Sequence, residues 1–391
     1  MCASVHIAML YVSRFIMGIG IGMIVMLIPL WQTEIAPPEA RGLLVGIHGT
    51  MNIMGYSLCN WIDVGFYFCA DKKANWRVPL AIQMLWPIIL GCVIRYMPES
   101  PRWLIEHNQL SDAREVLQSL RPDLDDDNFK VMVEQIANEN QHTSWRSLFT
   151  VPSYRKRLFV GFMAMIGGQA TGTLVVTNYG PTIYGNLGFS SLDQLLLSAG
   201  YITSGVFLNL GCAFLLDVAG RKTLLMIGFA GAGCVAITLE LVMVALYAGT
   251  NNVKGNDAAV FFIFFHILFY GGTTDATTYV YATEIWPTHI RSKGAALCTS
   301  GLFIGILAFT TGVQTAFNTI GWKYYLIFVC LSFINFWIVF FIFPETKGLS
   351  LEEIGALFGE DVNAVGGDIL ERGAPDTKLL STVEIRETKS S

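Results

Sequence analysis

Charge is what this sequence has least of. Only 14% of its 391 residues are Asp, Glu, Lys or Arg, whereas a soluble domain carries roughly 25%. No basic run is present and the formal charge is −5. Phosphate-backbone binding needs a basic face, so no nucleic-acid partner is expected. Cys-x-x-Cys pairs are missing, which removes the common zinc frameworks, and no metal or cofactor is expected. Cys59, Cys92, Cys212, Cys234, Cys298 and Cys330 lie inside apolar runs, where a thiol behaves as a small hydrophobe. Cys69 has no evident partner. A basic N-terminal region with a short apolar core and cleavage site is absent, as are Asn-x-Ser/Thr acceptors, so no cleaved leader is expected. Phosphate loops and Ser/His/Asp patterns are missing too, and an enzyme is not expected. Gly18-x-Gly20-x-Gly22 follows no strand, so it reads as small residues for close helix approach and not as a dinucleotide loop.

What is present is apolar length. Hydrophobic residues make up 53% and the mean hydropathy is +0.50. Crossing a hydrocarbon core of ~30 Å takes about 20 helical residues. Nine stretches qualify, at roughly 5–31, 43–66, 78–97, 157–179, 194–216, 224–247, 259–282, 294–316 and 322–343. Barrel strands would be about ten residues long with period two, so an all-α integral membrane protein is expected. Between the third and fourth stretches, residues 98–156 hold two amphipathic segments, 111–120 and 129–138, and the acidic run Asp123–Asp127. The chain therefore divides into a three-helix bundle (1–97), a water-exposed helical linker (98–156), a six-helix bundle (157–345) and a tail (346–391). Beyond residue 360 the tail is rich in Gly, Thr, Ser and charge, and disorder is expected there. With the linker placed in the cytoplasm, that side carries 18 Lys and Arg and the other side 5, as the positive-inside rule requires.

An internal repeat runs through the sequence. Thr33-Glu34-Ile35-Ala36-Pro37 leading to Arg41 matches Thr283-Glu284-Ile285-Trp286-Pro287 leading to Arg291. Pro98-Glu99-Ser100-Pro101-Arg102 pairs likewise with Pro344-Glu345-Thr346-Lys347-Gly348. Two halves built alike are common among transporters. The halves are unequal: residue 157 lies 127 residues before Glu284, whereas 33 residues precede Glu34. The first half is therefore expected to lack three helices. Restoring them gives twelve spans and a cytoplasmic N-terminus.

These motifs, with Ser13-Arg14-Phe15 and Asp217-x-x-Gly220-Arg221-Lys222, make the chain resemble the sugar porters of the major facilitator superfamily. Fungal hexose-transporter-like members are the nearest in pattern, over positions 5 to about 355. The resemblance implies the major facilitator fold, with nine of twelve helices present. It also implies a cytoplasmic gate of Arg14, Glu34, Arg41, Glu99, Arg102, Asp217, Arg221, Glu284, Arg291 and Glu345. Acids and bases at helix ends can pair across the cytoplasmic seam and must part in the opposite state. The plainer alternative makes them topology markers.

Polar residues in hydrocarbon are costly and usually face a cavity or a partner. The second span places His48, Asn52, Cys59 and Asp63 within about 60° of one face. The fourth aligns Gln169, Thr173, Val176 and Tyr179, and the seventh sets Asp275 and Tyr279 one turn apart, with Thr274 and Thr278 beside them. Amides, hydroxyls and aromatics suit a sugar or polyol, so His48, Asn52, Gln169, Thr173, Tyr179 and Tyr279 are the expected cargo-binding residues. Gln169, Gly172 and Tyr179 look like the family's seventh-helix motif. Gly168, Leu174, Gly49, Leu302 and the run Gly272–Ala276 depart from its pattern, so glucose does not carry over. Asp275 is the leading proton-coupling candidate and Asp63 the second; a neutral or partnered Asp275 is the alternative. His48 and His266 read equally as hydrogen-bonded packing residues. The expected function is secondary active or facilitative transport of a sugar or polyol through the bilayer, at the plasma membrane, with protons where transport is coupled. A non-transporting sensor and an inactive fragment are the other readings.

Overall fold

The computed structural model describes residues 1–35, 41–69, 71, 73–120, 129–130, 133–134, 144–247, 249–250, 252–349 and 351–359. The acidic run, most of the second amphipathic segment and the tail beyond 359 lie outside the described residues, as do the side chains of Arg41 and Asp217. The chain forms two units, Met1–Gly348 and Leu349 onward. The second contains the short helix Leu351–Leu357.

The first unit is helical throughout, with no strand among the described residues. Lipid offers no hydrogen bonds to a backbone, and a helix satisfies its own. Its opening helices are α1 (Ile7–Ile35), α2 (Arg41–Tyr67), α3 (Ala74–Ile82) and α4 (Leu85–Val93). The break between α3 and α4 falls where Pro87 cannot donate to the carbonyl of Gln83 and crowds it instead. Two short helices follow, α5 (Pro101–Glu106) and α6 (Leu110–Leu120). The latter part of the unit begins with α7 (Pro152–Gln169), α8 (Thr173–Asn186), α9 (Ser191–Ala219) and α10 (Arg221–Gly228). A π-helical stretch, Phe229–Ala236, joins α10 to α11 (Ile237–Tyr247). A second, Tyr270–Thr274, joins α12 (Val253–Phe269) to α13 (Asp275–Glu284). The last helices of this unit are α14 (Arg291–Thr310), α15 (Val313–Thr319) and α16 (Tyr325–Ile342).

Among the described residues, eight helical spans are long and apolar enough to cross a membrane. The expected second span coincides with α2, which is not one of the eight. Its 27 residues reach about 40 Å, but His48, Asn52, Asn60 and Asp63 dilute its apolar character. The spans Ile7–Gln32 and Ala74–Tyr96 have none of their most apolar window buried, against 72% for Pro152–Asn186. Their side chains face outward, a liability in water but the ordinary state in hydrocarbon.

The α7–α8 span is discontinuous. Gly172 adopts φ +86°, and a Cβ there would stand 2.9 Å from Ile237, so glycine alone fits. Side chains supplement or replace the backbone bonds of three carbonyls at the break. Thr171 Oγ1 donates to Gly168 O at 2.8 Å, Ser332 to Ala170 O at 3.2 Å, and His266 Nε2 to Thr171 O at 3.2 Å. Irregular backbone at membrane depth survives only where such partners exist. His266 is thus a packing residue that holds this break.

Candidate functional site

α2 packs chiefly along α9 and also meets α13. Polar side chains stitch this seam. Ser57 shares a 2.8 Å hydrogen bond with Thr203, and Trp61 Nε1 donates to the same hydroxyl at 2.9 Å. One level along, Thr50 donates to Asn209 Oδ1 at 3.1 Å, and Asn209 Nδ2 donates to Asp275 Oδ2 at 2.7 Å. Tyr270 donates to Asp275 Oδ1 at 3.2 Å. The Gln169 side chain lies within reach of the Tyr270 hydroxyl. The π-helical stretch Tyr270–Thr274 sets Asp275 at the start of α13, and such bulges recur at functional sites. Tyr56 and Tyr279 lie within electrostatic reach of the same carboxylate.

A cavity adjoins this network. His48 and Tyr279 line it together with Thr283, Arg291, Met165 and Thr299. Its volume of about 30 Å³ corresponds to roughly one water. His48 Nε2 is buried there without a hydrogen-bond partner among the described residues, a polar atom that a cargo hydroxyl or a water would satisfy.

The other expected cargo residues are distributed differently. Thr173 shares a 3.0 Å hydrogen bond with Thr171 at the helix break, and Tyr179 reaches Thr310 O at 3.5 Å with its ring edge-on to Phe317. Thr278 turns back to Asp275 O at 2.8 Å, so its hydroxyl is occupied by its own helix. Asn52 and Asp63 are exposed. Asp63 follows Thr50 by 13 residues, about 20 Å along α2, which removes it from the Asp275 network. Three of that network's members, Thr50, Asn209 and Tyr270, were not among the residues expected from sequence. Asn209 carried a signal: it is a polar residue inside an apolar run.

The gate residues form two clusters. In the first, Arg221 grips Glu284 with two parallel bonds, Nε to Oε2 at 3.0 Å and Nη2 to Oε1 at 2.9 Å. This fork geometry, with the guanidinium buried, exceeds the ~0–1 kcal/mol of an exposed pair. Glu345 accepts from the backbone N–H of Arg221 at 2.9 Å and of Lys222 at 3.0 Å, capping α10. In the second cluster Ser100 donates to Glu34 and caps α5 through the Trp103 N–H at 3.2 Å. Arg102 pairs with Glu106 at 3.2 Å, and Glu99 accepts from the Ser100 N–H at 3.2 Å. Burial raises the Glu34 carboxyl above its ordinary range, against the Ser100 bond and the Arg102 charge, which lower it. The bonds described close within each cluster, and Arg291 acts on Glu34 electrostatically while its Nε donates to Trp286 O at 3.3 Å. Arg14 stands outside both clusters: it precedes Glu34 by 20 residues, about 30 Å along α1, and its side chain is exposed.

Comparison with known proteins completes the picture. MFS-type transporter criB of Aspergillus cristatus is 34% identical over 366 residues, covering 92% of this chain and 74% of that protein. The low-affinity glucose transporter HXT3 of Saccharomyces cerevisiae is 30% identical over 372 residues, with 90% and 64% covered. A probable quinate permease of Aspergillus clavatus is 28% identical over 374 residues, with 90% and 68% covered. Among solved structures, the major facilitator proton:xylose symporter XylE bound to 6-bromo-6-deoxy-D-glucose superposes with a TM-score of 0.74 at 24% identity. That match covers 89% of this chain and 73% of XylE. The fold is that of the major facilitator superfamily. The family model for sugar (and other) transporters matches residues 1–358, and the chain belongs to this family of multi-pass membrane transporters.

Proposed function

We propose that this chain carries a sugar or polyol across the plasma membrane by alternating access, with cargo recognised beside Asp275. The observation that carries this reading is the buried hydrogen-bonded chain Thr50–Asn209–Asp275–Tyr270. It joins α2 to α9 and α13 at a depth where unpaired polar groups are expensive. Rocking of the 1–97 helices against the 157–345 helices breaks the Thr50–Asn209 bond, and a cargo hydroxyl replaces it. His48, Gln169 and Tyr279 supply further imidazole, amide and aromatic contacts.

Asp275 is the proposed proton carrier. Both of its oxygens act as acceptors here, the pattern of an ionised carboxylate. Once the Thr50 bond is broken, Asn209 is free to turn away, the Asp275 charge is left with Tyr270 alone, and a proton neutralises it. The Arg221–Glu284–Glu345 and Glu34–Ser100 clusters act as latches on the cytoplasmic face, each within its own half.

One observation favours a second cargo class. Arg291 lines the same cavity as His48 and Tyr279, and a guanidinium suits the carboxylate of a hydroxylated acid. Uptake into proteoliposomes separates the two. Competition by neutral hexoses and polyols alone supports the first reading, and competition by hydroxylated carboxylates alone replaces it with the second. Absence of both in well-inserted protein refutes transport of either class.

A further inference from the structure

The latter part of the unit holds a second carboxyl that the cargo network leaves unused. Glu240, on α11, has zero exposure, and neither of its oxygens has a hydrogen-bond partner among the described residues. Three tyrosines surround it, each close enough to feel its charge: Tyr184 from α8, Tyr201 from α9 and Tyr325 from α16. The Tyr325 hydroxyl is nearest, yet it too falls short of hydrogen-bonding geometry. Behind Tyr201 stands His266 of α12. Its Nε2 faces the Thr171 carbonyl at 3.2 Å, an acceptor only, so that nitrogen carries the proton. Nδ1 then accepts from the Tyr201 hydroxyl at 3.3 Å, and the imidazole is neutral.

Among the described residues the remaining neighbours offer no buried counter-charge: Lys254 and Asp257 of α12 are exposed. The π-helical stretch contributes only the thiol of Cys234, and in the turn before α16 Lys323 is exposed while the Tyr324 hydroxyl donates to Phe309 O at 2.7 Å. A carboxylate in such a place would have no cation and no formed hydrogen bond, with the Tyr325 hydroxyl as its nearest donor, a cost of several kcal/mol. Asp275 has both oxygens bonded and Glu240 has neither. The two acids are therefore in opposite states.

We propose that Glu240 is a proton-binding site: protonated in the conformation described here, and deprotonated during the transport cycle when its tyrosine cage opens to water. Release breaks the carboxyl O–H bond, leaves a carboxylate and passes the proton to solvent water. Glu240 precedes Tyr247, the end of α11, by seven residues, about 10 Å. That end lies opposite the Arg221 latch, on the extracellular side by the charge bias, so the proton exchanges with the outer solution. This inference rests on the transport reading for its role in the cycle, but not for the protonation itself.

Infrared spectroscopy of the full chain in lipid tests the protonation, with the proton as the only ligand. A protonated-carboxyl band is expected at neutral pH, lost in Glu240→Gln and kept in Asp275→Asn. Absence of the band, or its loss in Asp275→Asn alone, overturns the proposal. If Glu240→Gln does not fold, Tyr325→Phe serves instead: a shifted band supports the assignment and an unmoved one refutes it. For the cycle, one proton per cargo at a one-unit inward pH gradient supports about tenfold accumulation. The ratio of accumulated to exchanged cargo should fall by that factor in Glu240→Gln, and an unchanged ratio reduces Glu240 to a packing acid. Wild-type exchange reports separately on whether the cargo is transported at all.

Discussion

Asn209 donates to Asp275 across 2.7 Å while its own carbonyl accepts from Thr50. Because an ionised carboxylate only accepts, the amide of Asn209 is fixed in one orientation, nitrogen to α13 and oxygen to α2. Asn209→Ala removes both bonds and leaves the Asp275 carboxylate with Tyr270 alone. A hydrogen bond to a charged group is worth about 1.5–3 kcal/mol, so the melting temperature in detergent should drop clearly. In an Asp275→Asn background the same change should cost less, with a coupling of about 1 kcal/mol or more. Additive effects would mean that the bond contributes nothing.

Asp275→Asn keeps the shape of the side chain and removes its charge and its proton. Gradient-driven accumulation is expected to collapse, because an amide cannot load a proton. Concentrative uptake at the wild-type level in this variant would dismiss Asp275 as the carrier. The Glu240→Gln variant, measured side by side, shows which of the two acids sets the stoichiometry.

Sequence made some of this legible and hid the rest for a physical reason. Glu284 and Glu345 were readable because they sit in repeated local patterns at helix ends, and Arg221 because it stands in the Asp217-x-x-Gly220-Arg221-Lys222 motif; the structure joins the three directly. Asp275 stood out as an acid in an apolar run. Its partner Asn209 lies 66 residues away, and no spacing rule reaches that far. Glu240 is the harder case, since its meaning lies in the donors it lacks, which only packing reveals. Asn52 and Asp63 share a helical face with His48 by angle, yet both lie at the surface, because periodicity fixes a direction and not what stands in front of it.

Gly220 adopts φ +88°, and a Cβ on it would lie 2.7 Å from Glu345 Oε2. Gly220→Ala therefore meets two penalties, a left-handed backbone and displacement of the carboxylate that caps α10. A loss of about 1–2 kcal/mol is expected, seen as a lowered melting temperature. Glu345→Gln should then cost clearly less in the alanine background than alone. Full additivity would separate the glycine from the cap.

The pH dependence of the Glu34 latch has a definite sign. Burial raises this carboxyl from 4.5, more than the Ser100 bond and Arg102 lower it. Below the unfolded-state value both states hold the proton, and the contribution of Glu34 to stability is complete. As pH rises through the folded value the unfolded chain ionises more readily, and the contribution is lost. Wild-type protein should therefore lose melting temperature relative to Glu34→Gln as pH climbs from 4.5 toward neutrality. Parallel curves would show that Glu34 titrates as in the unfolded chain.

Gly161 lies where α7 packs against α14. A Cβ there would fall 2.4 Å from Cys298 Sγ and 3.1 Å from Ile285 Cδ1, with Cys298 Cβ at 3.3 Å. On the same interface a Cβ at Gly301 would come 2.9 Å from the Phe162 carbonyl oxygen, so the two helices cannot slide to make room. Small residues of this kind let membrane helices pack backbone to backbone. Gly161→Ala is expected to destabilise by about 1–3 kcal/mol, the usual range for overpacking. Cys298→Ala removes the sulfur responsible for the worst overlap and leaves the tolerable 3.3 Å contact. The double variant should therefore recover most of the loss, because the clash is with one atom. If Cys298→Ala gives no rescue, the penalty must come from Ile285 or from the α7 backbone, and an Ile285→Val partner would decide between them.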